Sequence, residues 1–66
     1  MKFTVNGESR STESAPTVAE LVAEIVGTHE GVAVAVDGDV VAASAWENTR
    51  IAAGEQVDIL TAVQGG

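Results

Sequence analysis

The most distinctive residues of this 66-residue sequence stand at its C-terminus, where Gly65 and Gly66 are the last two residues. Glycine has no Cβ and accepts backbone conformations that are closed to other residues. Two successive glycines therefore make a thin thread, which can enter a narrow channel in another protein and present a carboxylate there. The alternative is an ordinary frayed terminus, because chain ends are usually disordered unless something ties them down.

The carboxylate at Gly66 could take part in acyl transfer only after activation, because its leaving group would otherwise be oxide. Attack on the α-phosphate of ATP would convert it to an acyl-adenylate and release pyrophosphate. A sulfur nucleophile could then displace AMP and leave a thiocarboxylate, which is a strong sulfur nucleophile. The sequence has no cysteine, which fits this chemistry, since a nearby thiol would compete for the activated carboxyl group.

Other residue types with catalytic or metal-binding potential do not have the required spacing. His29 is the only histidine, and nothing in the sequence places a serine and an aspartate around it, so we interpret it as a loop residue. Asp37-Gly38-Asp39 resembles a fragment of a calcium loop, but the further ligands of that motif are missing and a hairpin turn is the better interpretation. The sequence predicts no catalytic residue, no metal site and no cofactor.

The composition narrows the class of function. Ten acidic and three basic residues give a formal net charge of −7, which argues against nucleic acid as a partner, because phosphate binding needs clustered Lys and Arg. The acidic surface favours either a basic protein partner or simple solubility. No apolar run approaches the roughly 18 residues of a membrane span, and no signal-peptide pattern is present, so we expect a single cytoplasmic domain without membrane contact.

The N-terminal third of the chain predicts a hairpin. Met1, Phe3 and Val5 alternate with polar residues, as in a strand with one buried face. Asn6-Gly7 is a strong signal for a two-residue hairpin turn. The return strand, residues 8–13, is almost entirely polar, which places it at an edge of the sheet.

A helix begins after Thr17, which forms a capping box with Glu20. Gly27 is well placed to end this helix in a left-handed conformation. The apolar residues of the helix recur at helical spacing and predict one buried stripe against a sheet. The stripe consists of Val18, Leu21, Val22, Ile25 and Val26.

The second half of the chain predicts three more strands. Residues 32–36 (VAVAV) form a mostly buried strand, residues 37–39 a turn, and residues 40–43 a short return strand. After a further turn at residues 54–55, the alternating pattern of residues 57–62 predicts a final strand that runs directly into the tail. If this strand is central, its neighbours hold the root of the tail rigidly.

Residues 44–53 have no clear period, and Trp46 and Ile51 are their expected anchors. Trp46 either covers one end of the core, which we favour, or anchors an interface. The order of elements predicts an α+β domain, a small mixed sheet with one main helix packed on one face. We expect this domain to occupy residues 1–62, followed by a flexible diglycine tail at residues 63–66.

The sequence resembles the ThiS family of sulfur carrier proteins in thiamine biosynthesis, which have the ubiquitin-like β-grasp fold. The resemblance covers essentially the whole chain, and its closing segment is the most specific part. It lies in MKFTVNG (1–7), TVAEL (17–21), VAVDGDVV (34–41), Trp46 and GEQVDILTAVQGG (54–66). The fold of this family places the first and last strands side by side in the centre of the sheet.

The resemblance implies a protein cosubstrate and not an enzyme. An E1-like adenylating enzyme (ThiF) would activate Gly66 with ATP, a cysteine desulfurase or related donor would supply sulfur, and thiazole synthase (ThiG) would accept it. Gly66 would thus carry the adenylate and then the thiocarboxylate, while Val63, Gln64 and Gly65 would bring it into the partner's active site.

Two other classes of function remain open. The tail also suits a sister carrier, such as the small subunit of molybdopterin synthase, or a ubiquitin-like modifier. Modifiers usually carry a basic residue before the glycines, where this chain has Gln64. A non-covalent binding module with an incidental tail is the third interpretation, because exposed strand edges recruit extended peptides in many small domains.

Overall fold

Five strands and one α-helix follow one another in the computed structural model, which describes residues 1–28 and 30–62. The helix, α1, spans Val18–Ile25, and a 3-10 helix spans Ala43–Asn48. The strands are β1 (Lys2–Val5), β2 (Glu8–Ser11), β3 (Val32–Val36), β4 (Asp39–Val41) and β5 (Gln56–Thr61). They form one mixed sheet in the order β2-β1-β5-β3-β4, which confirms the predicted α+β class.

Both hairpins of the sheet close with two-residue turns of the same kind. Asn6 and Gly7 have φ values of 52° and 84°, and Asp37 and Gly38 have φ values of 51° and 87°. Positive φ at both central residues matches the right-handed twist of the flanking strands, which is why Asn-Gly and Asp-Gly are favoured there. The predicted hairpins are confirmed, and the polar strand β2 lies at an edge.

The last strand is the central one, as predicted. β5 runs parallel to β1, with Thr4 opposite Gln56 and Val5 opposite Val57. On its other side β5 runs antiparallel to β3 along almost its whole length, from Val36 opposite Val57 to Val32 opposite Thr61. The pairing with β1 therefore covers only the start of β5, whereas the pairing with β3 continues to its end.

The capping box at the start of α1 is complete. The Glu20 backbone N–H donates to Thr17 Oγ1 at 3.1 Å, and the Thr17 backbone N–H donates to Glu20 Oε1 at 2.8 Å. Gly27 follows the helix with φ 86°, as expected for a left-handed end. The hydroxyl and the carboxylate thus satisfy two backbone amides that a helix N-terminus would otherwise leave free.

The predicted helical stripe is wrong at Ile25. Val18, Leu21 and Val22 are buried and Val26 is half-buried against the core, but Ile25 is 37% exposed. Ile25 shares the helix face of Val18 and Leu21 by its spacing. Its exposure therefore reflects its position in the last turn of an eight-residue helix, past the residues that pack most tightly on the sheet.

The second half of the chain departs from the predictions in three places. Only the central residue of β3, Val34, is buried, whereas Val32 and Val36 on the same face are half-buried and Ala33 on the other face is exposed. The return strand β4 ends at Val41, and its Val40 is 81% exposed. The segment without a period contains the 3-10 helix Ala43–Asn48, whose tighter turn does not follow the 3.6-residue repeat.

The core lies between α1, the 3-10 helix and one face of the sheet. Trp46 is 4% exposed, and its Nε1–H donates to the carbonyl oxygen of Val41 at 2.9 Å. Its ring belongs to the core, as favoured from the sequence, and Ile51 is a second anchor of the same segment. The buried apolar residues are Phe3, Val5, Val18, Leu21, Val22, Val34, Trp46, Ile51, Val57 and Ile59. Neither helix in the described part of the chain is long and apolar enough to cross a membrane.

Candidate functional site

The predicted reactive tail, Val63, Gln64, Gly65 and Gly66, lies outside the described residues, as does His29. The described part of the site is the segment from which the tail departs. We call residues 59–62 the tail root. What can be read from the structure is which neighbours hold this root, and on which side.

On the β3 side, the tail root is held up to its last residue. Leu60 lies opposite Ala33 and Thr61 lies opposite Val32. One step further, the Ala62 N–H donates to the carbonyl oxygen of Gly31 at 2.7 Å. The ladder between these two segments therefore extends one residue beyond β5 and reaches the residue that precedes the tail.

Gly31 allows this close approach. Its φ is 69°, and a Cβ added at this position would lie 3.4 Å from the Cβ of Ala62. A side chain at residue 31 would thus combine an unfavourable backbone conformation with a tight contact on the tail root. The glycine lets the turn before β3 lie directly beside Ala62.

On the β1 side, backbone pairing stops much earlier. The chain leaves β1 at Val5, which lies opposite Val57, and turns at Asn6. The Asn6 backbone N–H still donates to the carbonyl oxygen of Val57 at 2.8 Å. Beyond this bond no described strand is paired with β5 on this side.

The side chain of Asn6 takes the place of the missing strand. Its Nδ2 donates to the carbonyl oxygen of Ile59 at 3.2 Å, and its Oδ1 accepts from the Ile59 N–H at 2.8 Å. A carboxamide presents a donor and an acceptor side by side, as a peptide group does. We call this pair of bonds the Asn6 clasp. It extends the ladder on the β1 side by one position.

The sheet face opposite α1 carries the exposed apolar residues nearest the tail root. Leu60 is 69% exposed and stands opposite Ala33. Val40 stands opposite Ala35 on the neighbouring pair of strands, and Asp58 also lies opposite Ala35. Large exposed apolar side chains that cluster on one face are typical of contact surfaces.

The charged side chains of the described residues are mostly exposed carboxylates. The pKa of the Glu20 carboxyl is lowered from its usual value, first by the hydrogen bond from the Thr17 backbone N–H and further by the Thr17 hydroxyl and Arg50. Arg10 pairs with Glu24 at 2.6 Å on the surface. Within residues 1–28 and 30–62, no three acidic or histidine side chains are grouped so that they could hold a metal ion.

The sequence did not predict how the tail root is held. Asn6 was expected only to make a turn, and Gly31 was not singled out. The Asn-Gly pair signals the turn, but the second role of Asn6 depends on a strand 53 positions away. No local pattern in the sequence carries that information.

The profile of the ThiS family matches residues 3–66 of this chain. The chain is similar to the crystal structure of the thiamine biosynthesis protein ThiS from Geobacter metallireducens, with a TM-score of 0.82 and 30% identity over 100% of each chain. It is also similar to the NMR solution structure of a thiamine biosynthesis protein from the same organism, with a TM-score of 0.79 and 27% identity over 100% of this chain and 88% of that one. No curated protein sequence matches it. The predicted ubiquitin-like β-grasp fold is confirmed by these similarities.

Proposed function

Because this chain belongs to the ThiS family, we propose that it is a sulfur carrier protein of thiamine biosynthesis. The observation that carries the proposal is the extent of the family match, which runs from residue 3 through the diglycine to residue 66. The similar structures from Geobacter metallireducens, both thiamine biosynthesis proteins, favour this pathway over that of molybdopterin.

The proposed reaction takes place at the carboxylate of Gly66. A carboxylate oxygen attacks the α-phosphate of ATP in the active site of an E1-like enzyme (ThiF), and the α–β phosphoanhydride bond breaks to release pyrophosphate. The terminal sulfur of a persulfide on a cysteine desulfurase or related donor then attacks the acyl carbon and displaces AMP. A thiol reductant cleaves the S–S bond of the resulting acyl disulfide and leaves the thiocarboxylate, which passes its sulfur to the thiazole synthase (ThiG). The chain is a cosubstrate throughout, and its partners supply the catalytic groups.

The described structure supports this role through the position of β5. β5 is paired on both sides at its start and with β3 to its end, and a central strand belongs to the most stable part of a sheet. The chain leaves that strand directly into residues 63–66, so that a firmly held root precedes Val63, Gln64, Gly65 and Gly66. We propose that these residues pass through the partner's channel, where the glycines avoid a collision at Cβ. The need for ATP and for a thiol reductant favours the cytoplasm as the compartment of the proposed reaction.

The test is the intact mass of the protein after incubation with ATP, the adenylating enzyme, the sulfur donor and a thiol reductant. We expect a mass increase equal to the difference between sulfur and oxygen. A variant without Gly65 and Gly66 is the matched control and should show no increase. An unchanged mass of the full chain would contradict the proposal.

The same truncated variant separates a carrier from a non-covalent binding module. A module would bind its partner equally well without the two glycines, and no thiocarboxylate would form on either protein. A molybdopterin-type carrier would form the thiocarboxylate but would pass sulfur to molybdopterin synthase and not to thiazole synthase. Sulfur transfer assayed with both acceptors therefore distinguishes the two carriers.

A further inference from the structure

We propose that Asn6 is a positioning residue for the carrier reaction, because its carboxamide fixes the line along which the tail leaves the sheet. The inference rests on the proposed function, since it assigns Asn6 a role in delivering Gly66. Asn6 lies at the exposed turn of the first hairpin and would not itself contact the reacting atoms. Its effect would reach the tail through Ile59.

The Asn6 clasp lies at the end of β5 from which the tail departs. β1 runs parallel to β5, so the first hairpin turn points in the direction in which β5 continues towards the tail. The turn residue Asn6 has φ 52°, a conformation that Asn adopts more readily than most residues. In this conformation the side chain of Asn6 lies beside Ile59 and forms hydrogen bonds with both its N–H and its C=O group.

Without the Asn6 clasp, the tail root would lose its hydrogen-bond partners on the β1 side. The N–H and C=O of Ile59 would then have no protein partner on the β1 side among the described residues. The backbone hydrogen bonds of residues 59–62 would then go only to β3 and Gly31, while the side chain of Ile59 stays in the core. A strand that is hydrogen-bonded on one side only can pivot about that side. A small rotation at Ile59 then produces a displacement that grows with distance along the chain.

The tail root would affect the reaction through the entry of the tail into the partner's channel. A tail that starts along one fixed line has fewer conformations to lose when it enters a channel, which is the benefit of preorganisation. Tail entry follows docking of the folded domain, so it belongs to the bound complex. Loss of the clasp should therefore lower kcat and leave KM nearly unchanged.

The chain contains a matched control in its second hairpin. Asp37 occupies the same turn position as Asn6, with nearly the same φ. It also reaches β5, because its Oδ1 accepts from the Gln56 N–H at 2.8 Å and its own N–H donates to the Gln56 carbonyl oxygen at 2.7 Å. Gln56 is the first residue of β5, at the opposite end from the tail.

The experiment compares Asn6→Gly with Asp37→Gly. Glycine accepts the positive φ of both turns, so each substitution removes side-chain hydrogen bonds and leaves the turn backbone possible. The first measurement is amide hydrogen exchange at Ile59 by NMR. Loss of a hydrogen bond worth up to about 1.5 kcal/mol should speed local exchange by up to about tenfold. We expect this in Asn6→Gly and not in Asp37→Gly.

The second measurement is ATP–pyrophosphate exchange with the adenylating enzyme at varied carrier concentrations. Since a misplacement of about 1 Å can cost roughly 100-fold, we expect kcat to fall by about tenfold in Asn6→Gly, with KM changed less than about twofold. Asp37→Gly should match the wild type in both parameters. Asn6→Asp keeps the acceptor for the Ile59 N–H but loses the donor, so its kcat should lie between those of wild type and Asn6→Gly.

Each other outcome contradicts a specific step. A raised KM with unchanged kcat would make Asn6 a contact residue for the partner and overturn the proposal. Equal losses of kcat in the two glycine variants would indicate general loosening of the sheet and would also overturn it. If Asn6→Gly fails to fold, Asn6→Asp with a wild-type kcat overturns it. A wild type that supports no exchange contradicts the proposed function itself, and the positioning role falls with it, whereas Ile59 exchange still reports whether the clasp exists.

Discussion

Ala62 donates its backbone N–H to the carbonyl oxygen of Gly31 at 2.7 Å, and the Cβ of Ala62 lies 3.4 Å from where a Cβ at residue 31 would stand. This is the last backbone hydrogen bond that the described residues make before the tail. It holds the tail root on the β3 side at Ala62, three residues beyond Ile59, which the Asn6 clasp holds on the β1 side. The hydrogen bond to Gly31 and the Asn6 clasp together hold the backbone of the tail root on both sides.

Substitution of Gly31 by Ala tests the role of the Ala62–Gly31 hydrogen bond in holding the tail root. The positive φ should cost about 1–2 kcal/mol of the free energy of unfolding, because L-residues disfavour this region. The added methyl group should also push on Ala62 and speed the exchange of its amide proton. Gly54→Ala is the control, since Gly54 has φ 84° but open space where its Cβ would be. Equal amide exchange at Ala62 in both variants would show that residue 31 does not restrain the tail root.

Leu21 should contribute far more to stability than Ile25. Leu21 is 3% exposed in the core, whereas Ile25 is 37% exposed at the end of α1. We expect Leu21→Ala to lower the free energy of unfolding by about 2–5 kcal/mol, as large-to-small core substitutions do. Ile25→Ala should lower the free energy of unfolding by less than about 1 kcal/mol, because the Ile25 side chain is exposed. Denaturant unfolding measures both, and similar losses would mean that the helix packs differently.

The capping box predicts an acid-sensitive contribution to stability from Glu20. Its folded-state pKa is lowered, chiefly by the Thr17 backbone N–H, so the unfolded chain binds more protons in acid. The contribution is present above the unfolded pKa of about 4.3 and is lost as the pH falls through the lowered folded pKa.

Glu20→Gln removes this titration and keeps an oxygen that can accept from Thr17. We expect the free energy of unfolding to depend less steeply on pH below about 4.3 in this variant than in the wild type. Glu47→Gln is the control, because Glu47 is exposed and has no hydrogen bond of this kind among the described contacts. Identical pH slopes for wild type and Glu20→Gln would contradict the assignment.

The net charge of −7 predicts an association rate that depends on salt. If the acidic surface steers the chain towards a basic partner, the association rate constant with the adenylating enzyme should fall as ionic strength rises, because exposed charges are screened. Stopped-flow measurements from low to physiological salt give this dependence. A constant rate would leave solubility as the sole role of the acidic residues.

Much of the fold could be predicted from local signals. Asn6-Gly7 predicts its hairpin because few residue pairs accept two positive φ values, and Thr17 with Glu20 predicts the helix start because their spacing suits two reciprocal hydrogen bonds. The polarity of β2 predicts an edge strand. Each of these signals depends on residues close together in the chain.

The remaining features depend on distant contacts. The exposure of Ile25 follows from where α1 crosses the sheet, and the 3-10 helix around Trp46 has no apolar period. The Asn6 clasp requires that β1 run parallel to β5 and that the turn after β1 place Asn6 beside Ile59. Such features arise from the tertiary arrangement and leave no pattern in the local sequence.

The most direct test of the central claim, that Gly66 supplies the reacting carboxylate, is ATP–pyrophosphate exchange by a variant with one Ala added after Gly66. The addition keeps a terminal carboxylate but moves it by up to about 3.6 Å and adds a methyl group in the channel. A displacement of about 1 Å can already cost roughly 100-fold in an oriented reaction. Because the described hydrogen bonds of the tail root end at Ala62, the melting temperature should match that of the wild type. We expect exchange to be lost with an unchanged melting temperature, whereas normal exchange by the extended protein would contradict the account.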